Sequence, residues 1–394
     1  MEIAVFGEYY STNLGDPVIL DSVIYMIRSI YKNANVKIID MHGRDRIILA
    51  NNNENNIKKY NKIKKPLILK TSKTFVNWVF KDKRRLHEYF EKSLENTDLL
   101  IIAGGQLIMN NNLIFPLRLH ELVKIANDKK IPIIFNSCGV QNYSKKNFGT
   151  KLLEQSLNYD NVKIVTTRDD LKMLKKYIKS EDKIVDKSID AAVWCNKAYN
   201  IEKNKNSNIV GLGIISPNMY QVYYERTKDK KYYLTKHELK QFWMDLILKL
   251  DDEKVEWKVF CNGAKSDYDF GYEILKDLNL NDKEINNKLV KRPLEAKELV
   301  KQISEFNVII SQRLHSHIIA ASLGIPSIGI VWDEKVFDFA KAIGVEKYFF
   351  NLNNTSVNEV YEAYKMYKCN DNILNPDLYR NEAILYIKKM KELI

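Results

Sequence analysis

The chain has 394 residues, of which 45% are hydrophobic and 28% charged, and its formal net charge is +12. This composition is typical of a soluble globular protein and excludes a disordered or fibrous chain. The length favours two domains over one. The four cysteines lie far apart and without metal-binding spacing, so we expect neither a zinc site nor a disulfide framework.

The first residues, MEIAVFGEYYSTNLGD, contain no basic segment followed by an apolar one, and we therefore expect no signal peptide. No apolar run approaches the ~18 residues that a membrane-spanning helix needs. Together these features predict a cytoplasmic protein.

The positive charge is carried mainly by lysine and is spread along the chain. Basic proteins often bind nucleic acid or an anionic membrane. The sequence has no nucleic-acid-binding motif and no basic tail, so we predict no nucleic acid partner. The densest basic cluster comprises residues 57–70 and 81–85. Its default interpretation is a solvated surface, and the alternative is peripheral contact with anionic lipid at the inner face of a membrane.

Short apolar runs alternate with helical patterns in the first half of the chain. The predicted strands are 3–7, 36–40, 99–105, 131–139 and 162–169. Helices are predicted at 16–31, with Asp16 as N-cap and Pro17 at the first position, and at 115–130. Strands that are apolar throughout and joined by helices indicate a parallel sheet covered on both faces.

A polar stretch at 199–208 interrupts this alternation, which then resumes. Further strands are predicted at 209–216, 254–263, 306–312 and 325–332, and closing helices at 356–367 and 379–394. We expect one closing helix to pack back across the domain junction. The prediction is an α/β protein with an N-terminal Rossmann-like domain (1–203), a C-terminal Rossmann-like domain (204–350) and closing helices (351–394).

Open α/β sheets bind ligands beyond the carboxyl ends of their strands, and two loops at such positions carry unusual residues. Asn13, Gly15 and Asp16 predict a tight turn into a helix, although without the GxGxxG pattern of dinucleotide sites. Gly104 and Gly105, followed by Gln106, allow close approach of the backbone to a ligand or to the other domain. A purely structural turn explains either loop equally well.

Charged residues follow two further strands. Arg168 ends the strand at 162–169, where its guanidinium can hold an anion, and Asp169 is predicted to cap the next helix. The alternative is a local Arg–Asp pair on the surface.

The segment SQRLHSHIIAASLGIPSIGIVWDEK (311–335) is the most informative in the chain. Arg313 and His315 lie at the end of an apolar strand and the start of a helix, and Lys335 ends the next strand run. An arginine, an imidazole and a helix N-terminus therefore converge on one small volume, as an anion site requires. The alternative is a helix-start histidine paired with a carboxylate.

The remaining histidines receive no function from the sequence. Arg118–Leu119–His120 repeats the Arg-Leu-His triplet inside the predicted helix 115–130, and we interpret this as a coincidence. His42, His87 and His237 are scattered among polar residues.

Five segments, in order and spacing, resemble the polysaccharide pyruvyl transferase family over nearly the whole chain. They are NLGDPVILDSV, AGGQL, TTRDDLKML, DKSIDAAVW and SQRLHSHIIAASLGIPSIGIVWDEK. The last is the most specific, and the family's Asp-Pro-Ala stands here as Asp190-Ala191-Ala192. The resemblance implies a GT-B-like fold, with two Rossmann-like domains facing across a cleft.

The resemblance also implies an activity: transfer of an enolpyruvyl unit from phosphoenolpyruvate to a sugar as a cyclic ketal, with no metal and no other cofactor. We expect Arg313, Lys335 and, by resemblance, Arg168 to bind phosphoenolpyruvate, and His315 to act as acid and base. His317 is either a helper in phosphoenolpyruvate binding or simply the next helix residue.

The acceptor is expected to be a sugar of a cell-surface polysaccharide, such as a capsule, or of its lipid-linked oligosaccharide precursor. The residues expected to line its side of the cleft are Asn13, Gly15, Asp16, Gly104, Gly105 and Gln106.

Two other classes of function remain open from the sequence. A nucleotide-sugar-dependent glycosyltransferase on the same fold would use glycine-containing loops for the diphosphate and Arg313 and Lys335 as phosphate clamps. A non-catalytic sugar- or lipid-binding module would leave Arg313, His315 and Lys335 unexplained. The acceptor sugar, the ketal position and the oligomeric state do not follow from the sequence.

Overall fold

The computed structural model describes residues 1–46, 73–368 and 374–392. Contacts divide these residues into two units. The first consists of Met1–Thr12, the described part of Met26–Ser188, and the chain from Ile384 onward; the second consists of Asn13–Tyr25 and the described part of Ile189–Ala383. The predicted junction at 203 falls inside the second unit because residues 191–199 pack against a helix of that unit. The basic residues 57–70 lie outside the described residues.

The elements along residues 2–187 follow the predicted alternation of strands and helices. In chain order they are β1 (Glu2–Gly7), α1 (Gly15–Ile30), β2 (Asn35–Asp40), α2 (Lys83–Ser93), β3 (Leu99–Ala103), β4 (Ile108–Met109), α3 (Ile114–Asp128), β5 (Ile133–Asn136), β6 (Val140–Gln141), α4 (Phe148–Leu157), β7 (Val162–Thr167), α5 (Leu171–Lys175) and β8 (Ile184–Lys187). A π-helical turn, Trp78–Asp82, directly precedes α2.

The main sheet of the first unit has six parallel strands in the order β2-β1-β3-β5-β7-β8. Its inner strands are almost entirely buried, as the apolar runs predict; β3 is buried along its whole length, whereas β7 exposes Lys163. The edge strand β8 was not predicted, because its residues are mostly exposed and half of them are charged. A second, two-stranded sheet pairs β4 with β6.

The elements along residues 195–388 again alternate. They are α6 (Cys195–Tyr199), β9 (Val210–Gly213), α7 (Asn218–Thr227), α8 (Lys236–Asp252), β10 (Trp257–Phe260), α9 (Lys265–Asp277), α10 (Asp282–Lys288), α11 (Ala296–Ser304), β11 (Val308–Ser311), α12 (Leu314–Leu323), β12 (Ser327–Ile330), α13 (Glu334–Ala342), β13 (Phe349–Phe350), α14 (Val357–Lys368) and α15 (Pro376–Lys388). The sheet of the second unit is parallel throughout, in the order β10-β9-β11-β12-β13.

Helix α12 follows the central strand β11, and every one of its residues is buried. Its small residues allow neighbouring elements to approach: Ser322 Oγ accepts a hydrogen bond of 3.1 Å from the Asn196 amide, and its carbonyl accepts one of 2.9 Å from Arg380. The helix ends at Gly324, whose φ of 68° closes the last turn in the left-handed region. The small-residue pattern of the sequence therefore reflects a fully enclosed helix.

Two details at the ends of the chain bear on the predictions. Helix α1 begins at Gly15, one residue earlier than predicted, because the Asp16 amide already donates to the Asn13 carbonyl at 3.1 Å. Asp16 is therefore in the first turn and the N-cap prediction was wrong.

Near the C-terminus, the Tyr386 hydroxyl donates to Asp186 within the first unit, as expected for a closing helix that packs back.

Candidate active site

His315 lies in the first turn of α12, immediately beyond the carboxyl end of β11, and its side chain is almost completely buried. Its ring packs directly on the backbone of Gly15. A Cβ atom at position 15 would lie 2.1 Å from His315 Nδ1 and 2.3 Å from Cγ, so only glycine leaves room for the imidazole. The predicted loop and the predicted histidine thus meet within the second unit.

Hydrogen bonds hold the loop before α1 in place beside this ring. The Leu14 amide donates to the Asn262 carbonyl at 3.3 Å, and the Asn13 side-chain amide donates to Asp16 at 3.1 Å. These bonds hold Gly15 at the start of α1. Asn13, Gly15 and Asp16 are therefore brought together with His315.

Asp190 is a neighbour of His315 that sequence reasoning did not assign. Its Oδ2 lies 3.9 Å from His315 Nε2, while Oδ1 accepts a 2.8 Å hydrogen bond from the Ala192 amide. The carboxylate is buried and fixed by the short 3₁₀ helix that it caps. The signal was present in the segment DKSIDAAVW, but nothing in it linked Asp190 to a histidine 125 positions away.

Arg313 is held by a second unpredicted carboxylate, Asp267. Its Nε and Nη2 both donate to Asp267 Oδ2, at 2.8 and 2.6 Å. Asp267 is fully buried, and its other oxygen accepts a 2.9 Å bond from the Ser216 amide. The guanidinium is thus fixed in orientation, and its charge is partly balanced before any ligand arrives.

Lys335 lies in the first turn of α13, beyond the carboxyl end of β12. Its Nζ is 3.5 Å from Asp333 and 5.3 Å from the centre of the Trp332 ring. Trp332 in turn donates from Nε1 to the Gln312 carbonyl at 2.7 Å, which ties this loop to the residue before Arg313. Because β11 and β12 are parallel neighbours, the two cations lie at adjacent strand ends.

Two buried side-chain amides, those of Gln312 and Asn262, stabilise the loops at the carboxyl ends of these strands. Gln312 accepts from the Ile215 amide at 3.0 Å and from Trp243 Nε1 at 3.2 Å, which locks the ends of two neighbouring strands together. Asn262 Oδ1 accepts from Ser316 at 2.7 Å. Within the described residues the Asn262 Nδ2 group has no hydrogen-bond partner, so the edge holds an unused donor.

His317 occupies a different environment from His315. It is fully buried, its Nε2 donates to the Ser311 carbonyl at 3.0 Å, and its ring centre lies 4.8 Å from that of Phe349. Burial lowers the pKa of His317 to about 3. A neutral ring enclosed by the core has no route to an anion, so the structure favours the helix-residue interpretation over the helper role.

The lowered pKa of His317 makes stability depend on pH. The unfolded ring takes up a proton below about pH 6.5 and the folded ring does not, so stability falls as the pH falls from 6.5 towards 3. Between about pH 7 and about pH 5 we expect a loss of about 2 kcal/mol from this residue. Urea unfolding at both pH values should show a smaller loss in His317→Gln than in wild type. The exposed His237→Gln is the control, and equal losses in all three proteins would contradict the assignment.

Arg168 and the glycine loop lie together in the first unit. Asp169 Oδ2 accepts from the Gln106 side chain at 3.0 Å and from the Val140 amide at 3.1 Å, and Arg168 Nε is 3.8 Å from Asp169 Oδ1. Asp169 therefore organises the loop, whereas Asp170 caps α5 by accepting from the Met173 amide at 3.0 Å. The prediction that Asp169 caps the helix was wrong by one residue.

A second polar cluster in the first unit was missed by the sequence. The His42 ring bonds through Nε2 to Glu8 at 2.7 Å and through Nδ1 to Arg118, and Arg118 also pairs with Asp82 at 3.2 Å. The contact shows that Arg118 is a partner of His42, although the triplet 118–120 reads in sequence as an ordinary stretch of helix.

These features define an α/β protein of the GT-B fold class, and solved structures agree. The UDP-GlcNAc 2-epimerase of Neisseria meningitidis, bound to UDP-GlcNAc, aligns over 100% of both chains with a TM-score of 0.56 and 14% identity. That of Methanocaldococcus jannaschii aligns over 100% of both with a TM-score of 0.58 and 12% identity. The polysaccharide pyruvyl transferase family matches residues 13–334, and the chain belongs to this family. A search of curated protein sequences found no match to this chain.

Across residues 1–46, 73–368 and 374–392, no helix is both long and apolar enough to cross a bilayer.

Proposed function

We propose that the protein transfers the enolpyruvyl unit of phosphoenolpyruvate to a sugar of a cell-surface polysaccharide or its lipid-linked precursor, forming a pyruvate ketal. The observation that carries the proposal is the grouping of Arg313, His315 and Lys335 beyond the adjacent carboxyl ends of β11 and β12. Phosphoenolpyruvate carries a phosphate and a carboxylate on one small frame, and two fixed cations at neighbouring strand ends suit such a ligand.

The chemistry requires one proton at the methylene carbon and two attacks at the adjacent carbon. A first sugar hydroxyl adds to that carbon as the methylene becomes a methyl group; phosphate then leaves, and a second hydroxyl adds to close the ketal. Of the two hydroxyl protons, one is balanced by the proton gained at carbon and the other leaves with inorganic phosphate. A single group that donates and then accepts a proton is suited to this sequence.

His315 is the proposed acid and base. Gly15 gives the ring its position, and Asp190 Oδ2 lies 3.9 Å from Nε2, which is beyond hydrogen-bond length but near enough for its negative charge to favour a protonated imidazole. Arg313 and Lys335 are proposed to hold the phosphate as negative charge develops on it. Asn262 supplies a further donor at the same edge.

Arg168 and the loop of Gly104 to Gln106 lie in the first unit, and the proposal keeps for them the substrate-binding roles that the family resemblance implies. Gly104 has a φ of 145°, which a residue with a side chain rarely adopts, so the conformation of this loop depends on glycine at that position. Arg168 is a largely buried cation whose Nε lies 3.8 Å from Asp169, the residue that binds this loop.

Thermal stabilisation by phosphoenolpyruvate tests the donor directly. At ~100 times its dissociation constant the ligand should raise the unfolding free energy of wild type by ~2.7 kcal/mol, and the rise should disappear in Arg313→Ala. Because this variant leaves Asp267 without its partner, Arg313→Ala/Asp267→Asn is measured beside it, each against its own unliganded melting temperature. The exposed Arg84→Ala should respond like wild type.

The same titration distinguishes the glycosyltransferase alternative. UDP-N-acetylglucosamine, GDP-mannose and a CMP-sugar are tested in parallel, and none is expected to stabilise the protein. Stabilisation by one of them, with no response to phosphoenolpyruvate, would replace the proposal with a nucleotide-sugar-dependent activity.

A further inference from the structure

One turn of the helix that runs from residue 73 into α2 exposes four large apolar side chains. Phe75 is 42% exposed, Val76 50%, Val79 45% and Phe80 81%. We call these four residues the apolar turn. Large exposed side chains are unremarkable when scattered singly, but four within six residues form a patch that normally marks an interaction surface.

The opposite side of the same helix is firmly attached to the first unit. Trp78, Leu86 and Phe90 are buried in the hydrophobic core, at successive intervals that keep them on one face. The apolar turn is therefore held outward by anchored neighbours. Beyond it the patch continues to Phe148, itself half exposed, whose ring centre lies 6.0 Å from that of Phe75.

Exposed cations flank the apolar turn along the chain, one of which, Arg84, pairs with Glu88 at 2.9 Å. They are Lys73, Lys81, Lys83, Arg84 and Arg85. The one acidic residue between Lys73 and Arg85 is Asp82, which is engaged with Arg118 at 3.2 Å and with Arg85 at 3.7 Å. The face therefore combines an apolar centre with a basic rim.

An apolar centre with a basic rim matches the surface of an anionic bilayer, where acyl chains lie just beneath negative headgroups. A second copy of the chain fits less well, because a twofold contact through this face would bring its cations against the same cations. Nucleic acid would satisfy the rim but not the four apolar side chains.

We propose that the apolar turn and its basic rim bind an anionic membrane surface, with Phe80 inserted among the lipids and the helix lying in the interface. The proposal goes beyond the donor chemistry and does not depend on it. It extends the sequence-based expectation of membrane contact to a defined element, since residues 81–85 belong to the rim. It also fits an acceptor carried on a lipid.

Vesicle co-sedimentation of the full chain tests the proposal. The probes are vesicles of phosphatidylcholine alone and of phosphatidylcholine with about one third phosphatidylglycerol, at low and high salt. Wild type should bind the anionic vesicles, less strongly at high salt. Phe80→Glu and Lys81→Glu/Lys83→Glu should each bind at least about tenfold more weakly. The matched control is Met366→Glu, which alters a 64% exposed apolar residue on α14 and should bind like wild type.

Each other outcome overturns the proposal. Absence of binding by wild type at low salt, or equal binding by wild type and Phe80→Glu, removes the membrane surface as partner. A change in oligomeric state of Phe80→Glu, with vesicle binding unaltered, would assign the face to a second copy of the chain. Phosphoenolpyruvate should still stabilise Phe80→Glu. The test of membrane binding can therefore fail or succeed independently of the test of the donor.

Discussion

Replacing His315 with alanine is expected to lower the turnover of pyruvyl transfer by about 10²–10⁴-fold, the usual contribution of a positioned acid–base group. Because Arg313 and Lys335 remain, stabilisation by phosphoenolpyruvate should persist. The measurement is the release of inorganic phosphate from phosphoenolpyruvate, with a surface-glycan extract as the source of acceptor. A loss of turnover with donor binding retained would identify His315 as a group that acts in the chemical steps.

The control for this experiment is His237→Ala, which removes an exposed histidine of the same unit and should leave turnover unchanged. Near-wild-type turnover in His315→Ala would disprove the assignment. Loss of phosphoenolpyruvate binding together with turnover would instead make His315 a donor-binding residue.

Gly15→Ala is expected to damage the site almost as severely, although the substitution adds only a methyl group. The new Cβ would lie 2.1 Å from His315 Nδ1, so the ring must leave its position beside Asp190. Overpacking of this kind typically costs about 1–3 kcal/mol of stability. We expect lower stability and a loss of turnover approaching that of His315→Ala, measured by urea unfolding and phosphate release.

A double-mutant cycle separates steric displacement from other effects of the methyl group. In the His315→Ala background the ring is absent, so adding Gly15→Ala should cost little further stability and no further turnover. Equal and additive costs in both backgrounds would show that Gly15 acts independently of His315.

Much of the fold could be predicted because its strands are buried on both faces and therefore appear in sequence as unbroken apolar runs. The strands β3 and β11 are examples. The edge strand β8 has an exposed, charged sequence and gives no such signal. The start of α1 was misplaced by one residue because a favourable N-cap residue, Asp16, follows the glycine that the imidazole requires.

The parts of the site that could be predicted are the loop of Asn13, Gly15 and Asp16 and the segment that carries Arg313, His315 and Lys335, because each follows a strand that the sequence reveals. Arg313, His315 and Lys335 follow consecutive strands. Because ligands of open α/β sheets bind beyond the carboxyl ends of the strands, these three residues could be grouped from the sequence. Their carboxylate partners, Asp190 and Asp267, come from elements far away in the chain, and no periodicity relates them. Partners of this kind become visible only when the sheet brings distant loops to one edge.

The ion pair between Arg313 and Asp267 bears on how a catalytic cycle ends. Inorganic phosphate is a product of the proposed reaction, and a bare arginine would retain it as readily as it captured the donor. A guanidinium already engaged twice by a buried carboxylate attracts an anion less strongly and has fewer donors left to offer. If the proposed reaction is correct, we expect Asp267 to limit product inhibition, because a lower affinity for the incoming donor is accompanied by a faster departure of phosphate before the next turnover.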